Sequence, residues 1–508
     1  MTDTQANNRR IARNTLMLYL RMAFVMAISL YLSRIVLKAL GVVDYGIYNV
    51  IGGVIAFLGV FNSSMGAAAQ RFMTFDLGRN NVESLKRSFS ACLNLYIILS
   101  GFVLLLSETI GLWFINTKLN IPSDRTTAAN FVYQFTIFTS ITSLLQNPFC
   151  ASITAHERMD AFAWISIFDI LARLGLSFLV LYSSQDHLII YSGLIALEFL
   201  IVSTIYYAFC RRNFIECRFR MFFDKSLYKR LLSYSGWNLF GASAGIIGGQ
   251  GVNIMLNMFF GPAVNAARGI TMQISGAVSQ FFGNFYTAVR PQIVKYYADN
   301  DLQRMHGLIL NSARLAYYMA LIVIVPIYIE LPYIINLWLG STPDHLIIFA
   351  RLTLICCLVD CLSNPLMSAA LASDKIRNYQ IVVAFSTFLA FPLSYFSIKV
   401  SNSPTAPFIV SIFISVLSMI LRAYFVDKLV GLKIQKFITA VVFKVLPATI
   451  IAPILPLAFA ASMPNSFLRL ALTVTTSVLF SAIAIFTTGI NHEERRMVIN
   501  KIKHHEKA

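Results

Sequence analysis

Eight basic side chains fall inside long apolar stretches of this sequence: Arg21, Arg34, Arg173, Arg268, Arg314, Arg351, Arg422 and Lys444. A charge at that depth is costly unless it faces a protein interior or a wet cavity, so each is a candidate for function. Arg34 and Arg351 lie near one end of their stretches and Arg314, Arg422 and Lys444 near the other, all within snorkelling reach. Arg173 follows Asp169 by four residues, which puts the two on one helix face as a self-neutralising pair. Arg21 and Arg268 have no carboxylate three or four residues away. Thr271, Ser275 and Ser279 follow Arg268 at helical spacing, and Gln250, Asn253 and Asn257 do the same on the preceding stretch. Guanidinium, amide and hydroxyl groups together suit an anion that carries many hydroxyls, and the planar fork of Arg matches phosphate oxygens. The same amides and hydroxyls, each taken singly, would serve equally well to hold helices together. Among carboxylates at depth, Glu198 and Asp360 are the candidates for moving a proton or holding Na⁺, with Asp169 already paired. Gly241, Gly245 and Gly249, spaced by four, predict a close helix contact.

The elements that must position these groups are membrane spans. Of 508 residues, 57% are hydrophobic and 13% charged, with a mean hydropathy of +0.68, which exceeds the apolar share of a soluble globular protein and excludes an ordinary soluble enzyme. Fourteen stretches are long enough to span: 14 to 38, 43 to 66, 86 to 110, 127 to 149, 161 to 183, 188 to 210, 232 to 259, 264 to 288, 308 to 332, 346 to 371, 379 to 399, 406 to 426, 437 to 460 and 467 to 489. Pro447, Pro453 and Pro456 predict a kink in the thirteenth. With the amino terminus in the cytoplasm, external segments receive Lys38, Lys118, Arg125, Lys399 and Arg469, and most of the 41 Lys and Arg become cytoplasmic. That asymmetry accounts for the net charge of +18 without nucleic acid. The basic segment from Arg211 to Arg230 then lies beside anionic headgroups. The seven cysteines form no disulfide framework or metal-type spacing. No Gly-rich phosphate loop marks an ATP motor, and no cofactor beyond a coupling H⁺ or Na⁺ is expected.

The chain also repeats itself. Asn147-Pro148, a small-residue turn and Glu157-Arg158 recur as Asn364-Pro365, a small-residue turn and Asp374-Lys375. Leu40-Gly41 recurs as Phe260-Gly261, and Leu112-Trp113 as Leu337-Trp338. Six spans separate the equivalents, so the halves are parallel repeats. The reading is an all-α membrane protein of two six-helix lobes around a central cavity: an N-lobe over 1–210, a basic cytoplasmic linker over 211–230, a C-lobe over 231–427, and an added helix pair with a basic cytoplasmic tail over 428–508.

The run Asn14-Thr15-Leu16 through Tyr19 and Arg21, then Leu40-Gly41-Val42-Val43-Asp44-Tyr45-Gly46-Ile47-Tyr48-Asn49-Val50 and Gln70-Arg71-Phe72, resembles the Wzx-type polysaccharide biosynthesis flippases. These belong to the wider MOP superfamily with the MATE exporters and lipid II flippases. The resemblance implies translocation of undecaprenyl-pyrophosphate-linked oligosaccharide across the bacterial inner membrane by alternating access, in surface polysaccharide and O-antigen (lipopolysaccharide) biosynthesis. It implies as partners membrane lipids, a polysaccharide polymerase and glycosyltransferases. Arginines on spans 1 and 8 serve the pyrophosphate in the related lipid II flippases, and Arg21 and Arg268 occupy comparable spans; a cavity arginine of span 2 has no counterpart here. Two other classes stay open at this point. A MATE-like exporter of organic cations would carry carboxylates and aromatics in its cavity, and a membrane polymerase or ligase would carry a sizeable external loop.

Overall fold

The computed structural model describes residues 3–489, apart from 59–64, 67–68, 71, 75, 78–80, 157, 219–223, 341 and 374–376; the tail from 490 lies outside the described residues, as do the side chains of 3–23. Every regular element among the described residues is helical. In chain order they are α1 Asp3–Leu58, α2 Val82–Lys118, α3 Thr126–Ala155, α4 Met159–Leu181, α5 His187–Asn213, α6 Lys225–Phe260 and α7 Pro262–Ala298. There follow α8 Leu302–Leu339, α9 Leu346–Ala372, α10 Arg377–Ser401, α11 Ala406–Val430, α12 Ile434–Ser462 and α13 Phe467–Gly489.

Among the described residues each of the fourteen expected spans falls on a helix, α1 supplying two, while 59–64 of the second span lie outside the described residues. The halves of α1 meet at Gly41, whose φ of 75° and ψ of 173° break the helix. Gly261, paired with Gly41 by the sequence repeat, has a φ of 83° between α6 and α7. Only glycine takes that backbone region without a Cβ penalty, so both turns depend on it. A second of the paired signatures also lands alike, because Pro148 lies inside α3 and Pro365 inside α9. Among the described residues ten helical segments are long and apolar enough to cross a membrane. The remaining expected spans, on α3, α6 and α7, are helical too, and α6 and α7 carry the amides and hydroxyls singled out above.

Ends are set locally. Asp186 accepts the Leu188 and Ile189 amides at the start of α5, and Asp301 and Ser466 cap α8 and α13 in the same way. Gly340 and Gly431 close α8 and α11 in the left-handed region. Within α12 the helix stops at Ile451 and restarts at Ile454, where Pro453 has no N–H to give, so the expected kink is a break.

The chain divides into two compact units, residues 1–269 and 270–508. In the first, Met73, Phe89, Phe149, Ile153, Tyr206 and Cys210 form a core. The stretch after α5 packs into it through Phe214, Cys217, Leu227, Tyr228 and Leu231. Asn94 on α2 donates to the Tyr228 hydroxyl at 3.0 Å, and the His156 ring stacks on Phe214 and meets Glu216 at 2.6 Å. The basic segment is thus fastened on its apolar side, which its charge pattern did not reveal. In the second unit, Phe437, Val441, Val445 and Ala448 of α12 are buried with Ile309, Tyr317 and Leu321 of α8. Tyr318 donates to the Gly489 carbonyl at 2.9 Å. The helix pair outside the repeat is built into that core.

Candidate functional site

Where α1, α6 and the first turns of α7 meet, the first unit gathers amides around a buried guanidinium. The approach is close because glycines allow it. A Cβ on Gly46 would stand 1.8 Å from the Pro262 carbonyl oxygen, one on Gly53 would strike Asn253 and Gln250, and one on Gly269 would strike Asn49. The predicted stripe behaves otherwise: Gly245 and Gly249 are exposed with open space at the Cβ, and Gly241 lies outside the residues whose side chains are described. Three small residues at helical spacing allow close contact but do not select which face receives it.

Asn49 donates to the Tyr45 carbonyl at 2.8 Å, and Asn253 donates to the Asn49 carbonyl at 3.4 Å. Asn265 donates to the Asn253 carbonyl and side-chain oxygens at 2.7 and 2.8 Å. Asn257 accepts the Asn120 amide at 2.8 Å. Arg268, 8% exposed, donates to the Gly249 carbonyl at 2.8 Å. Asn257 Nδ2 and Asn265 Oδ1 are buried with no hydrogen-bond partner. Orphaned amide atoms are uncommon in folded proteins, and two in one cluster with a buried cation mark a region suited to a polar ligand.

Gln250, Asn253 and Arg268 therefore come together, and Asn257, one turn beyond Asn253 on α6, meets Asn120 instead. Thr271 and Ser275 part from them: α7 crosses into the second unit after Gly269, where Thr271 is fully buried and the Ser275 hydroxyl lies 3.3 Å from Cys357 Sγ on α9. Helical spacing linked them to Arg268, but consecutive turns of one helix serve different neighbours. The Arg21 side chain lies outside the described residues. The first compact unit takes in the start of α7, which packs on α1 at Gly46 and Gly269.

The ion pairs are richer than local spacing predicts. Arg173 meets Asp169 at 3.1 Å as expected, and also meets Glu198 of α5 at 3.3 Å. Glu198 is 1% exposed and its second oxygen, Oε1, has no partner. Arg173 lines a cavity of about 330 Å³ among α1 to α5, together with Tyr48, Phe135, Thr139, Ser140 and Ser192. Asp360 is exposed and accepts from the Ser415 hydroxyl at 2.8 Å. Of the basic groups read as snorkelling, Arg314 is buried and donates to Asn311 at 2.7 Å. Arg351 donates to the Tyr328 carbonyl at 3.4 Å and lies over that ring at 5.2 Å.

Two charged clusters escaped the sequence reading. Glu330 on α8 is fully buried and meets Arg469 of α13 at 2.7 Å and Thr473 at 2.9 Å, although it lies in an apolar stretch and was not counted among carboxylates at depth. Arg125 joins Asp44 of α1 to Asp186, which it meets at 2.6 Å. Asp186 loses from partial burial, but its hydrogen bonds from Arg125 and from the amides of α5 outweigh that and hold it below the usual carboxylate range.

The sequence matches no family model and no curated protein. Solved structures do match. The inward-closed lipid II flippase MurJ superposes with a TM-score of 0.68 at 11% identity, covering 92% of this chain and 97% of its own. An inward-facing multidrug resistance MATE family transporter of the MOP superfamily gives 0.63 at 14% identity, over 82% and 98%. A MOP superfamily transporter from Pyrococcus furiosus, described as having reversed polarity in its binding pocket, gives 0.56 at 12%, over 84% and 96%. At such identities the likeness is one of fold, and the fold of this chain is that of the multi-span, all-helical MOP superfamily transporters.

Proposed function

We propose that this chain is a secondary transporter of the flippase kind, which moves an undecaprenyl-pyrophosphate-linked saccharide across the bacterial inner membrane by alternating access. The observation that carries the reading is the buried Arg268 within a cluster of amides, two of whose polar atoms have no partner. A diphosphate would bring about two negative charges into a site of low dielectric, where an unpaired charge costs several kcal/mol. A fixed guanidinium offsets that cost, and amides offer donors and acceptors to the neighbouring sugar. Arg21 is the second cation of this reading, and Glu198 and Asp360 are its coupling carboxylates, for H⁺ or Na⁺. Both termini and the segment 211–230 face the cytoplasm, and a polymerase and glycosyltransferases act before and after.

An exporter of organic cations would want acidic groups on its cavity wall. The charged side chain on the wall of the α1 to α5 cavity is Arg173, and neither Asp169 nor Glu198 is among its lining residues. The test uses purified protein in proteoliposomes, scoring translocation of undecaprenyl-pyrophosphate-linked oligosaccharide by its accessibility to an external glycosidase, with ethidium transport measured in parallel. Gradient-dependent exposure of the lipid-linked sugar without ethidium movement is expected. Ethidium transport with no lipid translocation would replace this reading by the exporter.

A further inference from the structure

The cavity among α1 to α5 is separate from the Arg268 cluster and has its own chemistry. Three of its hydroxyls have already spent their protons. Thr136 donates to the Val132 carbonyl at 2.7 Å, Thr139 to Phe135 at 2.5 Å and Ser192 to Leu188 at 2.9 Å. What they can still offer a ligand is oxygen lone pairs, so the wall seeks donors. The charged wall group, Arg173, is itself a donor, and its charge is met by Asp169 and Glu198. With that charge already paired an anion gains little here, and no acidic group stands among the lining residues to draw a cation. Phe135, Phe199 and Tyr48 add aromatic surface beside the polar wall. The volume, about 330 Å³, lies at the small end of ligand cavities.

A neutral ring with many hydroxyls and a flat C–H face meets all of these conditions. We infer that this cavity is a saccharide subsite, which takes one sugar ring of the transported molecule with its hydroxyls on Thr136, Thr139, Ser192 and Arg173 and its apolar face on the aromatic side chains. Tyr48 on the cavity wall and Asn49 in the amide cluster are successive residues of α1, so one helix serves both sites. The inference rests on the flippase reading and adds to it a basis for choosing among sugars, since net gains of about 1 kcal/mol per hydrogen bond make two or three worth tenfold or more in affinity.

The experiment is native mass spectrometry of the purified full chain with two probes, undecaprenyl pyrophosphate and the same lipid bearing one N-acetylhexosamine. Wild type is expected to favour the glycosylated lipid by about tenfold or more. Ser140→Leu, which fills the cavity, should bring that ratio to about one while leaving affinity for the bare lipid unchanged. Thr139→Val, which removes a hydroxyl and keeps the shape, should lower the ratio several-fold. A ratio that survives both substitutions overturns the subsite and leaves the flippase reading intact, whereas wild type that binds neither lipid overturns both. If Ser140→Leu instead abolishes binding of ethidium, the cavity belongs to a cation and the inference is wrong.

Discussion

Replacing Arg469 by Met would strand a carboxylate in the second unit. Glu330 is fully buried, and its two oxygens are met by Arg469 at 2.7 Å and by Thr473 at 2.9 Å, both from α13. The Arg469 side chain is only 12% exposed, so solvent does little to screen the pair. Removing one partner of such a pair leaves an uncompensated buried charge and typically costs about 3–5 kcal/mol, or about two to three and a half decades in the unfolding equilibrium. The same guanidinium donates to the Met463 carbonyl at 3.3 Å, so part of the loss would fall on the α12–α13 turn. Replacing both partners by apolar groups is a milder change, because the desolvation cost disappears with the charges. Arg469→Met should therefore destabilise the purified protein strongly, and the double variant Glu330→Leu/Arg469→Met should recover most of the loss. Thermal and denaturant unfolding in detergent, arranged as a double-mutant cycle, measures the coupling. A single variant within about 1 kcal/mol of wild type, or a double variant no better than the single, would refute the argument that this pair clamps α13 to α8.

Three further outcomes are expected. Arg268→Ala should abolish most translocation of the lipid-linked saccharide in proteoliposomes, while Arg268→Lys, a point charge without the planar fork, should restore only part of it; full rescue by Lys would keep the charge and discard the fork. Glu198→Gln combined with Asp360→Asn should remove gradient dependence, and transport that still follows the imposed H⁺ or Na⁺ gradient would exclude both as coupling groups. For Asp186, held below the usual carboxylate range, the contribution to stability is complete above the unfolded value near 3.9 and is lost as pH falls through the lower folded value. The melting-temperature gap between wild type and Asp186→Asn should hence stay constant from about pH 7 to 5 and close below about 4, and a gap that widens in acid would reverse the sign.

How much of this was legible in the sequence depends on the range over which each feature acts. The spans follow from bilayer thickness and local composition, so apolar stretches of about 20 residues identify them without tertiary information. Gly41 and Gly261 were also legible, because a repeat that keeps glycine at a turn predicts a shared backbone requirement, and both take positive φ. Pro148 and Pro365 followed by the same route. Helical spacing found the Arg173–Asp169 pair, four residues apart, and could not find Glu198 on the next helix.

The pairs that escaped, Arg469 with Glu330 and Arg125 with Asp44, lie 139 and 81 residues apart in sequence. Hydropathy averages over a window and treats a lone carboxylate in an apolar stretch as noise, whereas in the folded chain it is the group that most needs a specific partner. The same limit explains the candidate site. Gln250, Asn253 and Arg268 share a neighbourhood because Gly46, Gly53 and Gly269 let three helices approach. Ser275, two turns beyond Arg268, meets Cys357 instead. Periodicity assigns a residue to a face of its own helix, and the packing of the neighbours decides what that face meets. The reading from sequence therefore holds for the elements and for the chemistry each one carries, and it fails where two elements must be brought together.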